Sequence, residues 1–375
     1  MRVLVLNAGS SSVKLRVVEP DDTVVHRADL DAPRGRPAEG ELEDAALRLA
    51  RAAGGVDAVG HRVVHGGPDF TAPVRIVPDV LDRIDALTVL APLHQPPAVA
   101  GIRALAGALP DVPSVACFGT AFHTTMPPAA STYAVPARWR SELGLRRYGF
   151  HGLAHAWASA RAAEIVGRPV AELRIVVAHL GSGASACAVD GGRSVDTTMG
   201  FTPTAGLVMA TRSGDLDPSA VTWLSVHADV PPAEVDHALD HESGMAALAG
   251  EADMRRVLAA AGAGDPAAGL AVEVWVHRAR AQLAAMAAAL GGVHVLAFSG
   301  GVGENAPVLR RRLVDGLPFL GLALDADLDA AAVDGVEGDV STDAAEARTV
   351  VVHAREDLVI ARQVRGVAAG PRAPG

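Results

Sequence analysis

The chain has 375 residues, of which 50% are hydrophobic and 20% charged, and its net charge is −10 at neutral pH. This balance excludes a disordered chain, and the negative charge argues against a nucleic-acid surface, which requires clustered Lys and Arg. The length exceeds what one hydrophobic core usually organises, so two domains are expected. No apolar run is long enough for a membrane span, and none is predicted.

The two cysteines and the one dense basic run are expected to have structural roles. Cys117 and Cys187 lie in apolar stretches, which is typical of buried thiols in a reducing cytoplasm. The dense basic run at residues 310–312 is interpreted as the solvated face of a helix. The N-terminal apolar run ends at Asn7, too early for a signal peptide. A cytoplasmic protein is therefore expected.

The first third of the chain alternates β-rich runs with helical patterns. Three successive strands are predicted over residues 2–6, 13–18 and 23–30, followed by an amphipathic helix over 41–53. The further predicted elements are a strand over 58–64, helices over 78–91 and 96–109, and a strand over 112–118. This alternation predicts an α/β fold.

A second cycle begins with a predicted strand over residues 174–179. Aligning Gly9 with Gly181 matches NAGSSSVKL (7–15) with HLGSGASAC (179–187). Each copy opens a run of three strands that is followed by helices. Together these features indicate an internal repeat.

Three glycine turns follow predicted strands, the third being FSGGVGEN (298–305), between a strand over 293–299 and a helix over 307–317. Such turns expose backbone N–H groups that bind anions, and three of them favour a nucleotide ligand. No segment fits G-x-x-x-x-G-K-[ST], which excludes a P-loop. The GGVGEN segment also lacks the G-x-G-x-x-G dinucleotide fingerprint.

Long motifs distributed along the chain carry a family resemblance. They are VLNAGSSSVKL (5–15), GHRVVHGG (60–67), LAPLHQPP (90–97), TAFHTTMP (120–127), RRYGFHG (146–152), HLGSGAS (179–185), SVDTTMGFTP (194–203), GLVMATRSGDLDP (206–218), GGVGEN (300–305) and EDLVIAR (356–362). In content and order these motifs resemble those of the acetate kinase family.

The resemblance implies a duplicated ribonuclease H-like α/β fold of the actin-like ATPase type, with two domains around a nucleotide cleft. The first domain would comprise residues 1–119 and about 356–375. The second, residues 120–355, would carry most of the nucleotide site. The implied activity is Mg²⁺-dependent, direct phosphoryl transfer between ATP and acetate, giving ADP and acetyl phosphate, in a homodimer.

Three residues are catalytic candidates by this resemblance. A guanidinium can hold a carboxylate or phosphoryl oxygens in a bidentate manner and stays charged. Arg62 and Arg212 match the family arginines that hold acetate and the moving phosphoryl group. His151 matches the family histidine that donates a hydrogen bond to a phosphoryl oxygen.

The remaining site residues are also implied by the matching motifs. The nucleotide-binding candidates are His179, Leu180, Gly181, Ser182, Gly183, Asp253, Met254, Arg255, Gly301, Val302, Gly303, Glu304 and Asn305. The apolar candidates for binding the acyl methyl group are Val64, Leu93, Phe150 and Pro203. Asn7 and Glu356 are the candidates near the metal, and Gly9, Ser10 and Ser12 shape the phosphate turn.

Two departures from the family bear on activity. Gly119 stands where the family carries an aspartate, and Ser182 replaces a family asparagine. Because phosphoryl transfer depends more on electrostatics than on proton transfer, reduced activity is expected rather than none.

Three alternatives remain open. A small apolar pocket discriminates poorly between acids that differ by a methylene, so a propionate or butyrate kinase is the runner-up. Gly119 also suits a catalytically weakened paralogue that binds nucleotide as a sensor or assembly partner. An actin-like filament or chaperone ATPase is the third alternative, and the two matched arginine motifs argue against it.

Overall fold

The structure is a computed structural model that describes residues 1–9, 12–32 and 37–369. It divides into two compact units. Unit 1 comprises Met1–Thr124, Phe150–Leu153 and Arg355–Gly375, and unit 2 comprises Thr125–Gly149 and Ala154–Ala354. The last six residues of the predicted first domain lie outside the described residues.

Unit 1 is built on a six-stranded sheet. Its strands are β1 (Val3–Ala8), β2 (Ser12–Val18), β3 (Val24–Asp31), β4 (Ala58–Val63), β5 (Val74–Arg75) and β6 (Ser114–Phe118). Their order is β3-β2-β1-β4-β6-β5. Strand β1 pairs antiparallel with β2 and parallel with β4, and β4 pairs parallel with β6.

Unit 2 contains a second six-stranded sheet. Its strands are β7 (Arg174–Leu180), β8 (Ala184–Asp190), β9 (Arg193–Thr197), β10 (Val295–Ser299), β11 (Gly338–Asp339) and β12 (Arg348–Val351). Read from the β9 edge, the order β9-β8-β7-β10-β12-β11 matches that of the first sheet, strand for strand and in pairing direction. The predicted duplicated α/β fold is confirmed.

Helices cover the sheets and connect the strands. They are α1 (Glu41–Ala52), α2 (Pro78–Ala86), α3 (Gln95–Ala108), α4 (Pro128–Ser131), α5 (Ala137–Glu142), α6 (Gly152–Ile165), α7 (Pro218–His227), α8 (Pro232–His241), α9 (Gly244–Ala249), α10 (Met254–Gly262), α11 (Pro266–Ala289), α12 (Gly300–Asn305), α13 (Pro307–Asp315), α14 (Ala326–Ala331) and α15 (Glu356–Ala368). Among the helices of the described ranges, none has both the length and the apolar character that crossing a membrane requires.

The C-terminal helix α15 packs against the sheet of unit 1. A Cβ added to Gly60 on β4 would lie 2.6 Å from Ile360 Cγ2 and 2.8 Å from Val364 Cγ2. The missing side chain therefore lets the helix approach the strand closely. This packing fixes the first residue of α15, Glu356, near the ends of β1 and β4.

Two predicted elements differ in the structure. The helix predicted over residues 78–91 ends at Ala86 and continues as a 3₁₀ turn over Leu87–Val89, where β-branched residues and the nearby Pro92 disfavour an α-helix. The glycine turn predicted at GGVGEN is instead the six-residue helix α12. Its first N–H, of Gly300, is bonded to Glu304 Oε1 at 2.9 Å.

The predictions for the cysteines and for the basic run have opposite outcomes. Cys117 and Cys187 are buried free thiols, as predicted, and burial raises the pKa of Cys187 to about 12. The prediction that the basic run is solvated is wrong for Arg310, which is only 1% exposed. Its Nε donates to the carboxylate of Asp329 at 2.6 Å, and Asp329 is fully buried.

Arg310 also donates to four backbone carbonyls. Its guanidinium reaches Gly303 O and Glu304 O at the end of α12, and Asp329 O and Ala332 O at the end of α14. A buried charge is tolerated when it is paired and hydrogen-bonded in this way. Arg310 therefore joins α12 to α14 inside unit 2.

We expect Arg310→Met to lower the free energy of unfolding by about 3–5 kcal/mol, because it leaves the Asp329 carboxylate buried and unpaired. The neighbouring Arg311 is exposed, so Arg311→Met should change stability by no more than about 0.5 kcal/mol. Urea denaturation of both variants measures the difference. Equal stability of the two variants would contradict the structural role assigned to Arg310.

Candidate active site

In unit 1, candidate residues meet where the parallel strands end. Asn7 Nδ2, near the end of β1, donates a hydrogen bond to Glu356 Oε2 at 3.0 Å. Arg62 Nε, on β4, lies 3.1 Å from the same oxygen. The Nε–H of Arg62 makes no hydrogen bond, so this contact is an ion pair only. The amide, the carboxylate and the guanidinium thus form one polar cluster.

This cluster fits the predicted metal. Mg²⁺ takes oxygen ligands, usually one or two carboxylates together with water and substrate phosphates. Asn7 and Glu356 supply one amide and one carboxylate side by side. Within the described ranges, no three His, Cys, Asp or Glu side chains form a metal-binding group. One amide and one carboxylate leave most positions around Mg²⁺ for water and phosphate oxygens, so Asn7 and Glu356 suit an ion shared with the substrate.

The turn after β1 is closed by a hydrogen bond from Gly9 N to Ser12 O at 2.9 Å. A Cβ on Gly9 would lie 3.1 Å from the same carbonyl oxygen, so a side chain there would crowd the turn. Ser10, predicted as part of this phosphate turn, lies outside the described residues. The role of Gly9 and Ser12 in binding phosphate stays a prediction.

His151 belongs to unit 1, with φ +57°, in the left-handed region. The preceding residue, Phe150, is buried, and its ring meets the His65 ring edge-on at 5.4 Å. Gly67 N–H donates to His65 Nδ1 at 2.8 Å. Burial lowers the pKa of His65 to about 4, so this ring is neutral at pH 7. Sequence reasoning assigned no role to His65, although it lies within the GHRVVHGG motif.

The acyl-pocket candidates have different surroundings. Val64 and Phe150 are buried in unit 1, whereas Leu93 is 49% exposed. Pro203 is half-buried and belongs to unit 2. The burial of Val64 and Phe150 is compatible with a small apolar pocket. The Leu93 side chain is too exposed to be part of an enclosed pocket in this structure.

Gly119, at the position of the family aspartate, is packed against backbone. Its N–H donates to Val63 O at 2.8 Å, and its carbonyl accepts from Gly152 N–H at 2.7 Å. A Cβ at this position would lie 2.9 Å from Val64 O. Because the crowding atom is backbone, any side chain at residue 119 requires the strand ends to shift.

We expect Gly119→Ala to lower the free energy of unfolding by about 1–3 kcal/mol through overpacking. Gly107, in α3, has open space where a Cβ would stand. Gly107→Ala should therefore raise stability, by up to about 1 kcal/mol. Chemical denaturation distinguishes the two variants. An unchanged free energy of unfolding in Gly119→Ala would contradict the overpacking, because it would show that the strand ends shift at no cost.

In unit 2, the second glycine turn lies next to the loop that carries Arg212. His179 lies near the end of β7, and the turn is closed by a hydrogen bond from Gly181 N to Gly183 O at 3.0 Å. Ser182 O accepts from Ala210 N at 3.0 Å. The structure thus connects the nucleotide-binding candidates to the Arg212 loop through the backbone.

Arg212 has weak protein contacts for a partly buried guanidinium. Its Nη1 lies 3.4 Å from Pro203 O and 3.8 Å from Met209 Sδ. No ion pair to Arg212 is present within the described ranges. Burial lowers the pKa of Arg212, although the charge of Asp240 opposes the shift. An anionic ligand would supply the missing partner.

The side chains of the GGVGEN segment are used within unit 2. Glu304 Oε1 accepts from Gly300 N and Ala354 N, and His353 Nδ1 donates to Glu304 Oε2 at 2.6 Å. Burial alone would raise the pKa of Glu304, but these hydrogen bonds outweigh it and the pKa is lowered. Asn305 Nδ2 donates to Gly301 O. Sequence reasoning did not find the contact between His353 and Glu304, because the two residues lie 49 positions apart in the chain.

The segment Asp253–Arg255 forms the start of α10. Asp253 Oδ1 accepts from Arg255 N at 3.0 Å, and the two side chains form an ion pair. The hydrogen bonds from Arg255 lower the pKa of Asp253 to about 2. Arg255 is 89% exposed. These contacts explain the residues as a helix cap, and the predicted nucleotide contact stays a prediction.

The chain contains two copies of one sheet, each with glycine-containing segments and an arginine near its strand ends. This arrangement is typical of α/β proteins that bind phosphorylated ligands. A family model described as the Acetokinase family matches residues 42–362. The chain belongs to this family.

Individual relatives are similar over nearly the whole chain. An acetate kinase of Leifsonia xyli is 46% identical over 400 residues, covering 98% of this chain and 99% of the relative. An acetate kinase of Deinococcus radiodurans is 43% identical, with 99% of each chain covered.

Two crystal structures are similarly close. Acetate kinase from Porphyromonas gingivalis has a TM-score of 0.88 and 34% identity, with 98% of this chain and 99% of that chain covered. A propionate kinase from Francisella tularensis has a TM-score of 0.88 and 34% identity, with 96% and 98% covered.

Proposed function

We propose that the protein is a short-chain acyl kinase that transfers a phosphoryl group between ATP and acetate. Family membership and the similarity to acetate and propionate kinases support this reaction. The observation that carries it at the level of side chains is the partly buried guanidinium of Arg212, which forms no ion pair with a carboxylate within the described ranges. A guanidinium in this state binds an anion strongly, because the cost of removing it from water is already met in the fold.

In the proposed reaction, a carboxylate oxygen of acetate attacks the γ-phosphorus of ATP. The new P–O bond forms as the bond to the bridging oxygen breaks, and ADP leaves with the electron pair. Arg62 orients the acyl carboxylate, Arg212 binds the moving phosphoryl group, and His151 donates a hydrogen bond to one of its oxygens. Positioning and charge neutralisation of this kind supply most of the catalysis in phosphoryl transfer.

Mg²⁺ is proposed as the metal, with Asn7 and Glu356 as the residues near it. When bound, it would neutralise negative charge on the phosphates. The remaining nucleotide contacts are proposed at the turn of residues 179–183 and at α12. At α12 the glycine backbone is the better candidate, because Glu304 and Asn305 use their side chains internally.

Trapping acetyl phosphate as a hydroxamate tests the activity and its chain-length preference. We expect product with acetate and Mg·ATP, and a fall in kcat/KM of at least about 100-fold in Arg212→Lys, because lysine lacks the planar fork. Arg103, an exposed residue paired with Asp85, provides the control Arg103→Lys, which should retain full activity.

Three outcomes would contradict parts of this proposal. A steady rise of kcat/KM from acetate to butyrate would reassign the substrate. Nucleotide binding without acetyl phosphate formation would favour the sensor alternative that Gly119 suggests. ATP hydrolysis that is indifferent to acetate would favour a filament or chaperone ATPase.

We also propose a homodimer that forms through α7, and a cytoplasmic location. No residue of α7 is buried, and Trp223 and Val226 are 55% and 67% exposed. A second copy of the chain is the proposed partner because the family resemblance implies a dimer. Two buried free thiols are compatible with a reducing compartment.

Light scattering after size-exclusion chromatography tests the dimer. We expect about twice the chain mass of 38.3 kDa, and a monomer for the double variant Trp223→Glu, Val226→Glu, because buried like charges oppose association. Phe319 is 72% exposed on a different segment. Phe319→Glu should therefore leave the dimer intact, and dissociation by that variant would remove the assignment to α7.

A further inference from the structure

His151 has a backbone conformation that its neighbours must maintain. Its φ of +57° lies in the left-handed region, whereas the other described non-glycine residues with positive φ, Asp22, Asp229 and Asp334, are all aspartates. A left-handed L-residue costs about 1–2 kcal/mol and persists only where surrounding contacts hold it. The contacts on either side of His151 therefore hold the backbone from which its ring projects.

Both adjoining peptide groups are hydrogen-bonded within unit 1. His123 Nε2 lies 2.9 Å from Phe150 O, and the His123 side chain is buried. A carbonyl oxygen only accepts, so the His123 ring carries a proton on Nε2. On the other side, Gly152 N donates to Gly119 O at 2.7 Å.

The packing leaves the segment little room to move. A Cβ on Gly152 would lie 2.5 Å from Gly119 O and 2.8 Å from Phe122 Cβ. The backbone around His151 is therefore pressed against the chain that immediately precedes His123.

His123 itself lies on a well-anchored turn. It belongs to the 3₁₀ turn Ala121–Thr125, and its N–H donates to Thr120 O at 3.1 Å. The Thr120 hydroxyl accepts from Gly66 N at 2.9 Å, in the GHRVVHGG motif. The backbone of His123 is thus connected through Thr120 to the strand end that carries Arg62.

We propose that His123 is a positioning residue: its Nε2–H holds the Phe150 carbonyl so that the left-handed backbone presents the His151 ring to the phosphoryl group. The inference rests on the proposed function, in which His151 acts on that group. In this role His123 acts through His151 and not on the reacting atoms themselves. The sequence motif TAFHTTMP contained this residue without indicating a role for it.

Kinetics of two variants test the hydrogen bond. His123→Met removes the donor at similar volume, and we expect kcat to fall at least about 10-fold while both KM values change little, because small misplacement of a catalytic group is costly. His123→Gln keeps an N–H donor near the position of Nε2 and should recover most of kcat. His61 is an equally buried histidine whose Nε2 contacts Ser114 Oγ. His61→Met should therefore leave kcat unchanged in the folded fraction, and a similar loss in that variant would overturn the inference.

A double-variant cycle separates positioning from general stability. In a His151→Ala background, His123→Met should have no further effect on kcat, because the group that it positions is absent. An additional loss equal to that in the wild type would overturn the positioning role.

The same data separate this inference from the proposed function. An inactive wild type, or a fully active His151→Ala variant, would overturn the role of His151 and the inference with it. An active wild type, an impaired His151→Ala variant and an unaffected His123→Met variant would overturn the inference alone.

Discussion

Parallel pairing at the centre of each sheet is the constraint on which the candidate chemistry depends. In unit 1, β1, β4 and β6 run in the same direction, so Asn7, Arg62 and Gly119 emerge at one edge of the sheet. In unit 2, β7, β10 and β12 do the same, which brings His179, the start of α12 and His353 to one edge. Side chains distant in sequence converge there because the ends of parallel strands meet at a common edge.

The two units use this arrangement differently. Unit 1 closes its edge with the C-terminal helix, whose first residue, Glu356, contacts both Asn7 and Arg62. At the corresponding edge of unit 2, two buried charged side chains bind the two ends of α12. Glu304 accepts a hydrogen bond from Gly300 N–H, and Arg310 donates to the carbonyls at the other end. A helix of six residues is too short to be stable by itself. Its shape is therefore maintained by Glu304 from within the helix and by Arg310 from the following helix, α13.

The candidate arginine of each unit is incompletely paired. Arg62 meets Glu356 as an ion pair without a hydrogen bond, and Arg212 has only long contacts to a carbonyl and a thioether. Arg310, by contrast, donates to a carboxylate and four carbonyls. Arg310, whose donors are hydrogen-bonded within the protein, stabilises the fold. Arg62 and Arg212 retain N–H donors that can bind anionic ligands. Sequence alone does not make this distinction, because all three are arginines in or beside glycine-containing motifs.

The sequence by itself determined the α/β class, the repeat and the family, because these depend on local periodicity, on glycine at strand ends and on long motifs that survive in order. It also located the strand ends that carry Asn7, Arg62 and His179. Only the tertiary structure decided that Arg310 is buried, since its partner Asp329 lies 19 residues away on another helix. The helical state of GGVGEN depends likewise on Glu304 and Arg310 together. The crowding at Gly119 depends on the carbonyl of Val64, the residue that follows β4. Each of these depends on which groups share a buried space, and that is set by packing between elements, which no local pattern records.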